Sequence, residues 1–119
     1  MKAKKMFEKL GYQEVEKGFV VKSYRKLWTC AENFEDLKRE VKLDGKMRFL
    51  YIDFDNIFGN TVEMSYEECE SQIIGDDIKT KVYGEKVPVK MGITLTYDEI
   101  KAINKQAKEL GWNNETNDN

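Results

Sequence analysis

The sequence has no histidine, one proline, two cysteines and no apolar run of membrane-spanning length, and each shortage narrows the chemistry open to it. Without histidine the commonest general base is missing, and neither a Ser-His nor a Cys-His nucleophile pair can be built within one chain. Cys30 and Cys69 are far apart, follow no metal-ligand spacing and have no histidine to complete a set, so no structural zinc is expected. The Gly-rich fingerprints that cradle nucleotide phosphates are also missing. A membrane helix needs about 20 consecutive apolar residues, and the opening "MKAKKMFEKLGY" lacks the apolar core of a secretory leader. A cytoplasmic location with reduced thiols is expected, and no cofactor is implied.

What is present suits one compact domain. The chain of 119 residues is 40% hydrophobic and 35% charged, and its 20 basic and 22 acidic residues nearly cancel. The charges are unevenly spread: residues 1–26 carry eight Lys or Arg against three Glu, and residues 47–79 carry two basic against eight acidic residues. Solvated faces account for both runs. Residues 1–112 are expected to form the domain, with the polar 113–119 as a disordered tail.

Helical signals stand at both ends and once between. Ala3, Met6, Phe7 and Leu10 share one helical face, and Gly11 stops it. Asn33 is placed to cap a helix over 34–42, with Phe34, Leu37 and Val41 on its stripe, before a turn at Asp44-Gly45. Thr96 and Glu99 form a capping box, Leu95 and Ile100 a hydrophobic staple, and Ile100, Ile103, Ala107 and Leu110 the buried stripe of a last helix ending at Gly111. The endings "KLGY" and "ELGW" read as one stop signal used twice, glycine taking the left-handed backbone and the aromatic folding back on the last turn.

Strand signals fill the interval. Residues 19–28 and 47–54 are rich in β-branched and aromatic types, and the second, apolar on both faces, suits a central position. Val87, Val89, Met91, Ile93 and Leu95 alternate with small or polar residues. A turn at Gly84-Glu85 would pair Val82 with Val87, Thr80 with Val89 and Ile78 with Met91, with Pro88 on an edge. Ser65 and Glu68 suggest a capping box over a short acidic helical turn ended by Gly75. The sum is an α+β fold: a mainly antiparallel sheet of four or five strands with the N- and C-terminal helices packed on one face.

Two constellations could carry chemistry. Asp53 and Asp55, two apart on a strand, project to one face and could share a divalent cation with Glu63, as a metal-dependent hydrolase or nuclease would require. The same residues serve equally to end a strand and cap a turn, and the calcium-loop template fails there, with Ile57, Phe58 and Met64 at its fifth, sixth and twelfth positions. Tyr24, Arg25 and Trp28 mix aromatic faces with cations in the manner of a nucleotide or nucleic-acid site, although such a strand more commonly packs its aromatics inward. A third reading is a surface for a protein partner, for which the acidic Glu67, Glu68 and Glu70 offer one face.

The segments "MKAKKMFEKLGY" and "ITLTYDEIKAINKQAKELGW" resemble those of small uncharacterised phage and prophage proteins of low-GC Gram-positive bacteria, which open with a Met-Phe-x-x-Leu-Gly-Tyr helix and close on Glu-Leu-Gly-Trp. About 30 residues carry the resemblance, and the stretch 56–91 is longer than in that group. It implies a non-enzymatic binding protein, an accessory or anti-defence factor acting on a host or phage protein, and supplies no catalytic residue.

Overall fold

A computed structural model describes residues 1–81, 84–86 and 94–112. Along the chain lie α1 (Ala3–Lys9), β1 (Gln13–Val15), β2 (Lys22–Leu27), α2 (Phe34–Asp44), β3 (Lys46–Asp55), β4 (Thr61–Ile74), β5 (Asp77–Thr80), β6 (Glu85–Lys86) and α3 (Tyr97–Glu109). The sheet is antiparallel throughout, in the order β1-β2-β3-β4-β5, with β6 also paired to β4. The fold is therefore α+β, with six strands rather than four or five; β1 and β6, three and two residues long, are too short to show a periodic pattern. No helix among the described residues is long and apolar enough to cross a membrane.

Both terminal helices end as the Leu-Gly-aromatic pattern predicts. Gly11 (φ 91°) and Gly111 (φ 82°) take the left-handed conformation. The Gly11 and Tyr12 amides donate to Glu8 and Phe7 carbonyls, and the Gly111 and Trp112 amides donate to Lys108 and Ala107 carbonyls, so the two closures have the same paired bonds. Tyr12 folds back edge-on to Phe7 with ring centroids 5.6 Å apart as expected, whereas the Trp112 ring meets Phe54 of β3 at 5.8 Å, its amide alone returning to Ala107.

These closures build the main core. Side chains alternate across β2 and β3, placing Tyr24, Ile52 and Phe54 on the face beneath α1 and α3. Phe7 stacks on Tyr24 at 4.0 Å, and Ala102 of α3 completes the cluster. Ala3 at the start of α1 donates its amide to Glu109 at the end of α3 (2.8 Å), fastening the helices to each other.

α3 is rotated from the face its apolar residues predict. Its capping box is formed as expected, but Ile100 is 49% exposed and the buried positions are Glu99, Ala102 and Gln106, flanked by the partly buried Ile103 and Leu110. The staple expectation thus fails at Ile100. The polar pair is accommodated because each finds a buried partner: Tyr12 donates to Glu99 (2.5 Å), and Tyr24 donates to Gln106 (2.5 Å). Lys26 adds a 3.4 Å ion pair to Glu99.

The middle helix and the sheet bring further corrections. α2 starts at the expected Asn33 cap, whose side chain accepts from the Asp36 amide, and runs on through Asp44 to a left-handed Gly45. Of its stripe only Val41 is buried; Phe34 lies exposed beneath the Lys38 ammonium. The helical turn expected at Ser65 and Glu68 is instead the middle of the 14-residue β4, where Ser65 pairs with Tyr51 and Glu68 with Arg48. The ladder offered by β3 overrides the local capping pattern, and Glu68 is neutralised there by Arg48 (2.8 Å) and Lys46 (3.5 Å). Gly75 ends no helix; it turns the chain from β4 into β5 with φ 63°.

β5 and β6 follow the same edge of β4, with the register shifting between the Ser71↔Thr80 and Glu67↔Lys86 pairs. Glu85 pairs with Glu68 rather than occupying a tight turn. Val82, Val87, Pro88, Val89, Met91 and Ile93, and the tail 113–119, lie outside the described residues.

Candidate functional site

The sheet face turned away from α1 and α3 carries the most concentrated polar chemistry. Alternation sends Ser23, Arg25 and Leu27 of β2, and Phe49, Tyr51 and Asp53 of β3, to this side. The β3–β4 register then sets Ser65 opposite Tyr51 and Glu67 opposite Phe49. Phe49, Tyr51 and Cys69, with Val15, Leu27 and Met47, make a second apolar cluster beneath the polar groups.

Asp53 is the buried anchor. Ser23 donates to its Oδ1 (2.6 Å) and Lys17 donates to its Oδ2 (2.7 Å), while the same ammonium reaches Ser65 Oγ (3.5 Å) and lies 4.2 Å from the centre of the Tyr51 ring. Such a pair stabilises only while both members remain, because removing one leaves an uncompensated buried charge.

Beside it, Arg25 lies over Phe49 at 4.4 Å and donates to the Tyr51 hydroxyl (3.4 Å). Burial pushes the Tyr51 phenol up; the Arg25 guanidinium works against this and the Glu67 carboxylate reinforces it. Arg25, Tyr51 and Glu67, with Val15 and the loop residues 16–18, line an open pocket of about 310 Å³.

The candidate metal trio is brought only partly together. Asp53 and Glu63 are direct cross-strand partners, yet Asp53 is held by Lys17 and Ser23, Glu63 by Lys86 (3.0 Å), and Asp55 accepts from the Ile57 amide (2.9 Å) at the turn. Among the described residues no three acidic, cysteine or histidine side chains are grouped so as to hold a metal ion. Asp55 therefore plays the turn-capping role that its sequence context equally allows.

The proposed stacking strand is divided between two faces. Tyr24 is fully buried under α1 and α3, whereas Arg25 projects to the opposite side and enters the polar pocket. Trp28 lies just past β2, half exposed, with its ring edge-on to Tyr66 at 4.8 Å. No continuous aromatic platform joins the three. Of the acidic run, Glu67 reaches the pocket, Glu68 is paired with arginine and Glu70 with Lys81 (2.7 Å).

A second surface lies at one end of the sheet. The loops 16–21 and 56–60 leave the sheet at one end, where Val21 donates its amide to Phe54 and Asp55 pairs with Thr61. They bear Phe19, 88% exposed, and Phe58, 97% exposed, accompanied by Val21, Ile57 and Val62, which are also exposed. The signal is local: in "GF" and "FG" each phenylalanine adjoins a turn glycine, Gly18 and Gly59, both with positive φ, and such connecting turns run over the protein surface. Tyr51 and Glu67 had no comparable signal, since only the β3–β4 register unites them.

No family model, no curated protein and no solved structure matches the chain.

Proposed function

We propose that the chain is a non-enzymatic binding protein that docks on a partner protein through the apolar end of its sheet. One observation carries this reading: two phenylalanines almost wholly open to water, with three further exposed aliphatic side chains on the same end of the sheet. Scattered exposed apolar residues are ordinary, but a group gathered at one end of a sheet is a mark of an interaction surface. Aromatic side chains at its centre are the type that dominates binding energy. The surrounding groups are of mixed sign or neutral, Lys17 and Lys22 with Asp55, Asn56, Asn60 and Glu63. An anionic lipid surface would favour a basic rim instead, so a protein is the better fit.

The resemblance of both terminal segments to phage and prophage proteins supports the narrower reading of an accessory or anti-defence factor that binds a host protein in the cytoplasm. No geometry favours the metal-dependent hydrolase or the nucleic-acid reading over this one. The test compares the wild type with a Phe19→Asp, Phe58→Asp variant as bait in host lysate. A stoichiometric protein retained by the wild type and lost by the variant is expected, with melting unchanged because neither ring is packed. Equal retention by both baits, or binding to lipid vesicles in place of protein, would overturn the docking surface.

A further inference from the structure

We infer that the pocket bounded by Arg25, Tyr51, Glu67 and the loop 15–18 is a binding site for a small zwitterion, a molecule of amino-acid size with an anionic group at one end and an ammonium or guanidinium at the other. The inference is independent of the docking surface. The volume, about 310 Å³, is at the lower end of the range for small-molecule sites, roughly 300–1,000 Å³. The floor is aromatic and held in place. Tyr51 is buried, with the Lys17 ammonium against its ring and the Arg25 guanidinium at its hydroxyl, and Phe49 lies beneath that guanidinium.

The charges decide the ligand class. Several carboxylates on the sheet already have a cation: Asp53 has Lys17, Glu63 has Lys86, Glu68 has Arg48 and Glu70 has Lys81. Arg25 and Glu67 differ. Both line the same pocket and both act on the same phenol, yet among the described residues neither forms an ion pair within 4.0 Å, with the other or with any third group. A guanidinium held over Phe49 and at the Tyr51 hydroxyl has further donors, in the fork geometry that matches a carboxylate or phosphate. A simple anion entering here would also meet Glu16 and Glu67, and a simple cation would also meet Arg25 and Lys17. A ligand carrying both signs satisfies both residues, and the row Arg25, Tyr51, Glu67 sets its direction: anionic end toward Arg25, cationic end toward Glu67, with the aliphatic part passing the Tyr51 hydroxyl between them.

The experiment is a heteronuclear NMR titration of the whole chain with glycine, β-alanine, 4-aminobutyrate and L-arginine, alongside inorganic phosphate and putrescine as single-sign controls. Saturable shifts at Gly18, Arg25, Tyr51 and Glu67 are expected with at least one zwitterion at up to millimolar concentration. Arg25→Gln and Glu67→Gln should each weaken that binding by about tenfold or more. Arg25→Lys, which keeps the charge, covers the case in which Arg25→Gln fails to fold, and should bind more weakly because the planar fork is lost. The Phe19→Asp, Phe58→Asp variant should bind the zwitterion as the wild type does. Absence of saturable shifts across the panel, phosphate binding as tightly as every zwitterion, or Glu67→Gln leaving affinity unchanged would each overturn the inference.

Discussion

Asp53 and Glu63 face each other across the β3–β4 ladder, yet their carboxylates are held by different lysines, Lys17 and Lys86. Like charges directly opposite one another on a sheet are unfavourable, and these two are accommodated by separate partners on either side of the ladder. The Asp53 pair is the more deeply placed, with side-chain exposures of 4% for Asp53 and 26% for Lys17, against 61% and 59% for Glu63 and Lys86.

It follows that Lys17→Met should destabilise the fold by about 3 kcal/mol, since it leaves a buried carboxylate facing only Ser23. Asp53→Asn should cost less, because the amide oxygen can still accept a hydrogen bond. Lys86→Met should be within about 0.5 kcal/mol of the wild type, as exposed pairs contribute little. Urea unfolding of the three variants checks the order, and equal losses at Lys17 and Lys86 would contradict it.

Stability should fall at both ends of the pH scale for reasons traceable to α3 and the residues packed on it. For Glu99, burial alone would raise the carboxyl, but the Thr96 amide, the Tyr12 hydroxyl and Lys26 outweigh it and the pKa is lowered from 4.5. A carboxyl depressed in the folded state contributes stability above its unfolded pKa, lost as pH falls through the folded value. The acid loss should therefore begin below about pH 4.5 and be shallower in Glu99→Gln. Tyr12 and Tyr24 are shifted upward, foremost by burial, from the ordinary phenol value of 10.0. Stability is then whole below pH 10 and declines as pH climbs beyond it. Melting temperatures across pH 3 to 11 for the wild type, Glu99→Gln and Tyr12→Phe test both limbs.

Two glycine-to-alanine changes should differ in kind. Gly11 has open space where a Cβ would go, so Gly11→Ala costs only its positive φ, about 1 kcal/mol. At Gly84 the added carbon would lie 2.5 Å from the Glu68 carbonyl oxygen and 2.6 Å from Cys69 Sγ. Gly84→Ala should thus cost more than Gly11→Ala, and hydrogen exchange should rise at Glu67 and Glu68, the β4 residues paired with β6, rather than at the end of α1.

The elements read most clearly from sequence are those with local causes. The α3 capping box and the two Leu-Gly-aromatic stops involve residues a few positions apart, so the pattern and the cause coincide. The rotation of α3 was hidden because Glu99 and Gln106 count as solvent-facing in any apolar pattern, and their partners Tyr12 and Tyr24 are 87 and 82 residues away. β4 departs from the helical pattern at Ser65 for a related reason: a capping box is satisfied locally, whereas a strand is made by its neighbours. Arg25 belongs to a site, but not with the companions its sequence neighbours suggest, since strand alternation sends Tyr24 to the other face. Lys17 gave no hint of its bond to a carboxylate 36 residues distant.

The close passage of Gly84 over Cys69 also gives the protein a built-in clock. Cys30 is exposed and Cys69 is sealed, its thiol pushed up by burial. A thiol reagent therefore counts one site on the folded chain and two on the opened one. The second site is modified only when its cover parts, either Gly84 leaving β4 or the Phe49 and Tyr51 cluster opening, so the rate of its labelling times local opening there with no engineered probe.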